Sequence, residues 1–273
     1  MRRSGLVLSY LTLGAAVLLI LFPVYWMAII SLKLPREIYR QPSLWIQNPT
    51  LANYQALLGP KGFLIPIRNS LLVSSTVTLI SVVIASLAAY SMVRFRYRFR
   101  GLIGKLILFA YLTPTSLLFI PLSILMARLG LGNSLTGLIL VYLTFSLPLS
   151  TWLLQGYFRG VPEELEQQGQ IDGLSRLGAL LRIVLPLSAP GLAAVSIFTF
   201  TGAWNELLLA LVLVTSESQR TAPLALNYLI TSDTLPWGPL MAGAVLSCVP
   251  LMILYFVAQR FMVQGLTAGS VKG

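Results

Sequence analysis

The sequence predicts an all-α integral membrane protein with six transmembrane helices. Hydrophobic residues make up 56% of the 273 residues and charged residues only 10%, whereas a soluble domain carries about 25% charged residues. The apolar residues also gather into long runs, and a run of about 20 is enough for a helix to cross the hydrocarbon core. We therefore interpret residues 1–273 as a single transmembrane domain.

Each of the six predicted spans has a distinguishing feature. The first is too long for a signal peptide and lacks a small-residue cleavage pattern, so we expect it to be retained. The second is rich in Ser and Thr, which can bond across helices, and Pro114 and Pro121 predict that the third is kinked or interrupted. The fifth contains Glu206, the only acidic residue in a predicted span, and the sixth contains the single cysteine, Cys248. The predicted spans are residues 6–30, 70–93, 106–127, 134–154, 187–214 and 236–258.

An even number of spans places both termini on the same side of the membrane. The loop at residues 94–105 is short and rich in arginine, and short basic loops face the cytoplasm, so both termini are predicted to be cytoplasmic. The same rule accounts for the net charge of +11 without nucleic-acid binding, and we expect this loop to lie at anionic lipid headgroups. The proline-rich segment 33–68, on the opposite side, is predicted to be a loop with one or two short helices.

The residues that most enzymes use are scarce in this chain. It has no histidine and one cysteine, so the usual general base and the usual metal ligands are missing. Gly104-Lys105 lacks the upstream glycine and the hydroxyl residue of a phosphate-binding loop. An intramembrane enzyme would need paired acids or a nucleophile with its base, and Glu206 stands alone. We therefore predict no catalytic residue, no metal site and no cofactor bound by this chain.

The segment 161–186, between the fourth and fifth spans, is polar for its position. Pro162 and the acids after it predict a helix start, since acids there meet the positive end of the helix dipole. Gly173 is predicted to end that helix, and a second one should end before Pro186. Leucine and valine at spacings of three and four predict an apolar stripe on it. The pair indicates either a docking surface for a partner or a loop lying on the membrane. The acids are Glu163, Glu164 and Glu166, and the stripe is Leu174, Leu177, Leu181 and Val184.

The second half of this segment resembles the cytoplasmic EAA loop of ABC-importer permeases. In that family, Glu-Ala-Ala is followed by three residues, glycine, nine residues and Ile-x-Leu-Pro. Here Gly173 is followed by nine residues and by Ile-Val-Leu-Pro at 183–186, and Ile171-Asp172 before it is also similar to the family. Gln-Gln-Gly at 167–169 stands where Glu-Ala-Ala is usual, so a salt bridge from that glutamate is not expected.

The resemblance extends over nearly the whole chain and is specific to the carbohydrate-uptake, maltose-type permeases with six spans. Besides the loop, it rests on four shorter stretches: residues 49–54, 69–70, 204–206 and 265–273. It implies a six-helix permease of the ABC-importer type with a cytoplasmic coupling-helix loop between spans 4 and 5. Such a protein lies in the plasma (inner) membrane of a prokaryote and crosses it several times.

The resemblance also implies a function and a set of partners. The chain would form half of a translocation pathway for a sugar or oligosaccharide, together with a second, homologous permease in a heterodimer. Two copies of a cytoplasmic ATPase subunit would bind ATP and Mg, and an extracytoplasmic solute-binding protein would deliver the substrate. The residues assigned to ATPase coupling are Glu163, Glu164, Glu166, Gln167, Gln168, Gly169, Ile171, Asp172, Gly173, Leu174, Leu177 and Pro186.

Two questions stay open at the level of sequence. Asn205 and Glu206 either line the translocation path or, in the case of Glu206, bond a neighbouring helix, since a charge in the bilayer centre costs about 2.5–3.5 kcal/mol. The cargo could also be glycerol phosphate, an amino acid or phosphate. A stand-alone secondary transporter is less favoured, because it would not need the segment 161–186 and because no inverted half repeats are visible.

Overall fold

The computed structural model describes residues 2–40, 43–59, 62–230 and 235–269. Over these ranges the regular structure is entirely helical, as predicted, and no strand occurs among the described residues. The last four residues of the family-like C-terminal stretch 265–273 lie outside them. In chain order the helices are α1 (Arg2–Ser31), α2 (Pro35–Arg40), α3 (Ala52–Leu58), α4 (Leu64–Arg94), α5 (Arg100–Leu112), α6 (Phe119–Arg128), α7 (Leu135–Arg159), α8 (Glu163–Ile171), α9 (Arg176–Ala179), α10 (Leu185–Leu187), α11 (Ala189–Asn205), α12 (Leu208–Leu213), α13 (Ala222–Ile230) and α14 (Trp237–Gly269).

Four described helices are long and apolar enough to cross a membrane, and they cover the predicted spans 1, 2, 4 and 6 to within one residue. These are α1, α4, α7 and α14. A fifth candidate is the bent pair Arg176–Leu187 and Ala189–Asn205, whose axes differ by 80°. The third and the fifth predicted spans are broken in the described part of the chain, so six spans stay a prediction.

The third predicted span is interrupted where proline predicted it. α5 ends at Leu112, a short turn covers Thr115–Leu117, and α6 begins at Phe119. Thr113 has an extended backbone with ψ 124°, as expected for a residue before proline, where the ring of Pro114 disfavours the helical conformation. Pro121 lies in the first turn of α6 and does not break it.

The fifth predicted span is interrupted at Glu206. α11 ends at Asn205, Glu206 is extended with φ −69° and ψ 124°, and α12 begins at Leu208. No proline or glycine lies at this break, and the side-chain contacts that Glu206 makes there are described below.

The chain divides into two compact units. The first comprises Met1–Ile67 and Ala225–Pro250. In it, the predicted short helices of segment 33–68 are present as α2 and α3. The buried amide of Asn53 donates to the carbonyls of Ser31 at 2.9 Å and Lys33 at 2.8 Å, which holds α3 against the end of α1.

The second unit comprises Arg68–Leu224 and Leu251–Gly273 and has two apolar clusters. One joins α4 and α7 to α6 and α12, and the other joins α4 and α7 to α11 and the segment 161–186. The serines predicted to bond between helices do so in part, because the hydroxyls of Ser81 and Ser146 are 2.8 Å apart. A similar contact of 3.1 Å joins Ser150 to Thr199.

Candidate functional site

The segment 161–186 folds into two short helical pieces joined at a glycine, as predicted. Pro162 directly precedes α8, and the three predicted acids lie in its first turn. Gly173 has φ +93°, a conformation that side-chain-bearing residues rarely adopt. Ser175 begins the second piece, and its hydroxyl accepts from the backbone N–H of Gly178 at 3.1 Å.

The second helical piece is predicted to end before Pro186. This is wrong by a short distance, because the piece ends one residue after Pro186. It runs from Arg176 to Leu187 and contains a wider turn with i→i+5 bonding at Leu180–Val184. Proline has no N–H to donate, and a wider turn is a common way for a helix to absorb such a lost bond. The sharp change of direction comes afterwards, at Ser188.

Glu166 is buried and forms an ion pair that the sequence analysis missed. Its side chain is 3% exposed, and Oε1 lies 2.5 Å from Nε of Arg94 at the end of α4. The hydroxyl of Tyr90 donates to Oε2 at 2.8 Å. Arg94 also donates through Nη2 to the carbonyls of Val161 at 2.6 Å and Phe158 at 3.2 Å. One arginine therefore holds the end of α7 and the start of α8 against α4.

The sequence predicted all three acids as one group at the helix start. The structure separates them, because Glu163 and Glu164 are exposed while Glu166 and Gly169 are buried. The spacing of three residues places Glu166 and Gly169 on one helix face. This shared face is the sequence signal from which their joint burial could have been predicted. That spacing does not reveal which of the loop arginines forms an ion pair with Glu166.

Gly169 is the position of the family triplet that packs inward. An ideal Cβ on it would lie 2.6 Å from Cδ1 of Ile183 and 3.1 Å from Cδ1 of Leu174. Gln167 and Gln168, the other two triplet positions, are exposed. The departure from Glu-Ala-Ala therefore shortens the buried side chain and leaves two amides on the outer face.

The apolar stripe predicted on the second helical piece is divided between two faces. Val184 is fully buried in the core with Leu180, whereas Leu177 and Leu181 are each 55% exposed. Ile171 of α8 is 85% exposed, and Asp172 and Pro186 are exposed as well. A shallow groove lies beside the glycine joint, with Leu174 in its lining. The outer face of the segment is thus apolar at its centre, with acids beside it.

Glu206 bonds to neighbouring backbone and to a second helix. Its carboxylate accepts from the N–H groups of Leu209 at 2.9 Å and Ala210 at 3.2 Å, so it caps α12. It also accepts from the hydroxyl of Tyr142 on α7 at 2.8 Å. Glu206 is extended with ψ 124°, a conformation that is typical of a residue just before a helix whose side chain bonds the first N–H groups. Glu206 thus bonds a neighbouring helix, which is one of the two alternatives that the sequence leaves open.

Glu206 also lines a cavity of about 230 Å³ in the second unit. Thr115, at the break between α5 and α6, lines the same cavity, and so do the polar side chains of Ser146 and Thr199. Both interrupted helices therefore expose their breaks to one cavity. Asn205 is exposed and does not line it, so the structure does not bring the two predicted path residues together. No cluster of three or more His, Cys, Asp or Glu within the described ranges is arranged to hold a metal ion.

The same helical fold occurs in chains of two solved transporter structures. It matches a chain in the crystal structure of a bacterial ABC transporter involved in the import of the acidic polysaccharide alginate. The TM-score is 0.80 over 94% of this chain and 96% of that one, at 21% identity. A chain from the bacterial alginate ABC transporter in complex with an alginate pentasaccharide-bound periplasmic protein matches with a TM-score of 0.68, over 94% and 93% of the two chains, at 13% identity.

The chain belongs to the family of binding-protein-dependent transport system inner membrane components, whose model matches residues 81–268. It is 38% identical to the sulfoquinovosyl glycerol transport system permease protein SmoH of Agrobacterium fabrum, over 96% of this chain and 93% of that protein. It is 36% identical to the trehalose/maltose transport system permease protein MalG of Thermococcus litoralis over the full length of both. The predicted resemblance to ABC-importer permeases is confirmed.

Proposed function

We propose that this chain is the permease subunit of an ATP-driven importer for a sugar or oligosaccharide. The observation that carries this proposal is the bonding of the segment 161–186 to a long apolar helix through Glu166 and Arg94. The carbohydrate cargo is supported by relatives whose names give sulfoquinovosyl glycerol, trehalose and maltose as substrates. The chain itself contributes no reacting group.

The segment 161–186 is the surface on which an ATPase subunit docks. Its outer face offers Ile171, Leu177 and Leu181, all more than half exposed, and such exposed apolar side chains are typical of interaction sites. Its inner face is held by the ion pair of Glu166, by the close contact at Gly169 and by the buried Leu180. A displacement of the outer face therefore moves the ends of α4 and α7. ATP and Mg bind in two copies of the ATPase subunit, and the energy of hydrolysis reaches the pathway through this segment.

The chain crosses the membrane six times, with two of the six crossings made by broken helices. The third crossing is α5 with α6, and the fifth is α11 with α12. Non-helical backbone at membrane depth is tolerated where it is buried or lines a cavity, and both breaks line the cavity that contains Thr115 and Glu206. Both termini are cytoplasmic, on the side of the segment 161–186.

That cavity is this subunit's share of the translocation pathway. Its volume of about 230 Å³ is below the roughly 300–1,000 Å³ of a complete small-molecule site. A second, homologous permease supplies the remaining wall. Ser146, Thr199 and Thr115 line the cavity, and hydroxyl side chains can exchange hydrogen bonds with sugar hydroxyls. An extracytoplasmic solute-binding protein delivers the substrate to the extracytoplasmic end of the pathway.

Co-purification tests this assignment. The chain, expressed in its native host with an affinity tag, is extracted in mild detergent, and its partners are identified by mass spectrometry. We expect a second permease and an ATPase subunit in the purified complex, and we expect the associated binding protein to bind a sugar. Recovery without any ATPase subunit contradicts the importer assignment, whereas a binding protein for amino acids or phosphate contradicts only the cargo.

A further inference from the structure

A second cavity, of about 590 Å³, lies where the ends of α4 and α7 meet the start of α5. Four cationic side chains line it: Arg94, Arg100, Lys105 and Arg159. No acidic side chain of the described residues is part of its lining. This charge arrangement differs from that of the cavity beside Glu206, and the transport mechanism proposed above does not use it.

Most of this positive charge has no counter-ion among the described residues. Arg94 is neutralised by Glu166, but Arg100 donates only to the carbonyl of Phe95 at 3.1 Å. Arg159 reaches a neutral amide at 3.4 Å, and Lys105 has no hydrogen bond or ion pair to any described residue. A guanidinium carries five donors, so many donors here are unused. A cleft lined by charges of one sign concentrates ions of the opposite sign.

A buried amide with a weak hydrogen-bond acceptor also lines this cavity. Gln155 is 8% exposed and lines this cavity. The only described acceptor for its Nε2 is Sδ of Met92 at 3.6 Å, and a thioether is a weak acceptor. Buried donors in proteins are nearly always paired with a good acceptor. An oxyanion in the cavity would satisfy it.

The start of α5 adds further donors to the same site. Phe99 provides no side-chain cap, and the first turn of α5 contains no acidic residue. The N–H of Arg100 donates to the carbonyl of Tyr97 at 3.2 Å, so the N–H groups that follow it in the first turn have no side-chain cap. Gly101 lines the cavity, and a Cβ built on it would meet nothing within 4 Å. The backbone is therefore open to close approach by an anion.

The position and the walls of the cavity favour an amphiphilic ligand. α4 and α7 are long enough to cross a membrane, and they end at Arg94 and Arg159, which places the cavity at headgroup depth. Trp152, half exposed, lies at the cavity, and tryptophan is enriched at membrane interfaces. Met92 and Leu108 supply apolar wall. Basic pockets between membrane helices bind phospholipid headgroups.

We propose that this cavity binds a phosphate oxyanion, and that its source is the headgroup of an anionic phospholipid in the leaflet next to the segment 161–186. The phosphate contacts Arg100, Lys105 and Arg159, and the glycerol backbone lies against the apolar wall. Arg94 belongs both to this cavity and to the ion pair with Glu166, so the lipid lies one side chain away from the coupling segment.

Lipid retention by the purified complex tests the proposal. The complete transporter complex is exposed to equal amounts of phosphatidylglycerol and phosphatidylcholine, and bound lipid is quantified by mass spectrometry. The double variant Arg100→Gln with Lys105→Gln removes two cavity cations and should weaken phosphatidylglycerol binding roughly 30-fold. The matched control, Arg96→Gln with Arg98→Gln, removes the same charge from the same loop outside the cavity lining. It should weaken binding far less, because exposed charges at a distance from the ligand are screened by salt.

A charge-preserving variant and a phosphate-binding experiment complete the test. Gly101→Leu places a side chain in the open space of the cavity and should reduce phosphatidylglycerol binding without changing the charge. Equal losses of phosphatidylglycerol binding in the two double variants would show that general surface charge causes the effect, and would overturn the site. Unchanged binding in Gly101→Leu would also overturn it. Binding of inorganic phosphate together with no preference for phosphatidylglycerol over phosphatidylcholine would identify free phosphate as the ligand and overturn the lipid source.

Discussion

Replacing Glu166 with glutamine is the most direct test of how the segment 161–186 is held. The side chain of Glu166 is 3% exposed, and that of Arg94 is 10% exposed. Removing one partner of a buried ion pair costs about 3–5 kcal/mol, because the other charge stays buried and uncompensated. Arg94 keeps two carbonyl acceptors, on Val161 and Phe158, so we expect the lower end, about 3 kcal/mol.

This loss of stability favours local detachment of the segment 161–186 from the helices that hold it. It does not alter the hydrolysis of ATP itself. A change of about 3 kcal/mol raises the detached population by roughly 100-fold. Tryptic cleavage after Arg176 or Arg182, both exposed in the second helical piece, should rise accordingly, since proteolysis follows the open population. In proteoliposomes with the full complex, substrate taken up per ATP hydrolysed should fall while hydrolysis continues.

The control is Glu164→Gln, which makes the same chemical change on an exposed residue of the same helix turn. A second variant, Glu166→Gln combined with Arg94→Met, removes both charges and should recover part of the stability, because no buried charge is left without a partner. If Glu166→Gln matches Glu164→Gln in both cleavage and coupling, the ion pair does not hold the segment, and the argument from burial is refuted.

Three further substitutions test other contacts. Gly169→Leu should destabilise the segment by about 1–3 kcal/mol, because its Cβ would lie 2.6 Å from a facing isoleucine methyl; faster tryptic cleavage is the measurement, and wild-type cleavage would contradict it. Glu206→Ala should cost about 1–2 kcal/mol through the lost cap of α12. Lower thermal stability of the purified complex checks this, and an unchanged melting temperature would count against the cap. Gly191→Ala should prevent stable assembly, because its Cβ would lie 2.3 Å from a tyrosine ring on α7, whereas Gly202→Ala on the same helix meets nothing within 4 Å. Equal yields of the two alanine variants would show that this helix contact is not close.

The broken third helix shows how far local sequence rules reach. The prolines predicted the interruption, and it occurs beside Pro114 because a residue before proline avoids the helical conformation. The break at Glu206 has no such local cause. It lies at a carboxylate that bonds to a tyrosine 64 positions away in sequence, and hydropathy cannot reveal a contact of that kind.

The triplet at residues 167–169 shows the same division. Its departure from the family pattern was visible in the sequence, but its consequence depends on which positions face inward. Gly169 is buried against Ile183, and the two glutamines are exposed. We accordingly place the holding contact of the segment at Glu166, a position that the family triplet does not include.

By itself, the sequence determined that this protein lies in a membrane, that it is helical, and to which family it belongs. Those properties follow from composition, from apolar runs and from a local pattern around Gly173, and all three are readable within a short window of residues. The tertiary structure alone decided which arginine neutralises Glu166, what Glu206 caps, and that four cations share one cavity. The physical reason is that ion pairs and cavities form between residues far apart in the chain, and burial, which sets their strength, is defined only once the helices have packed.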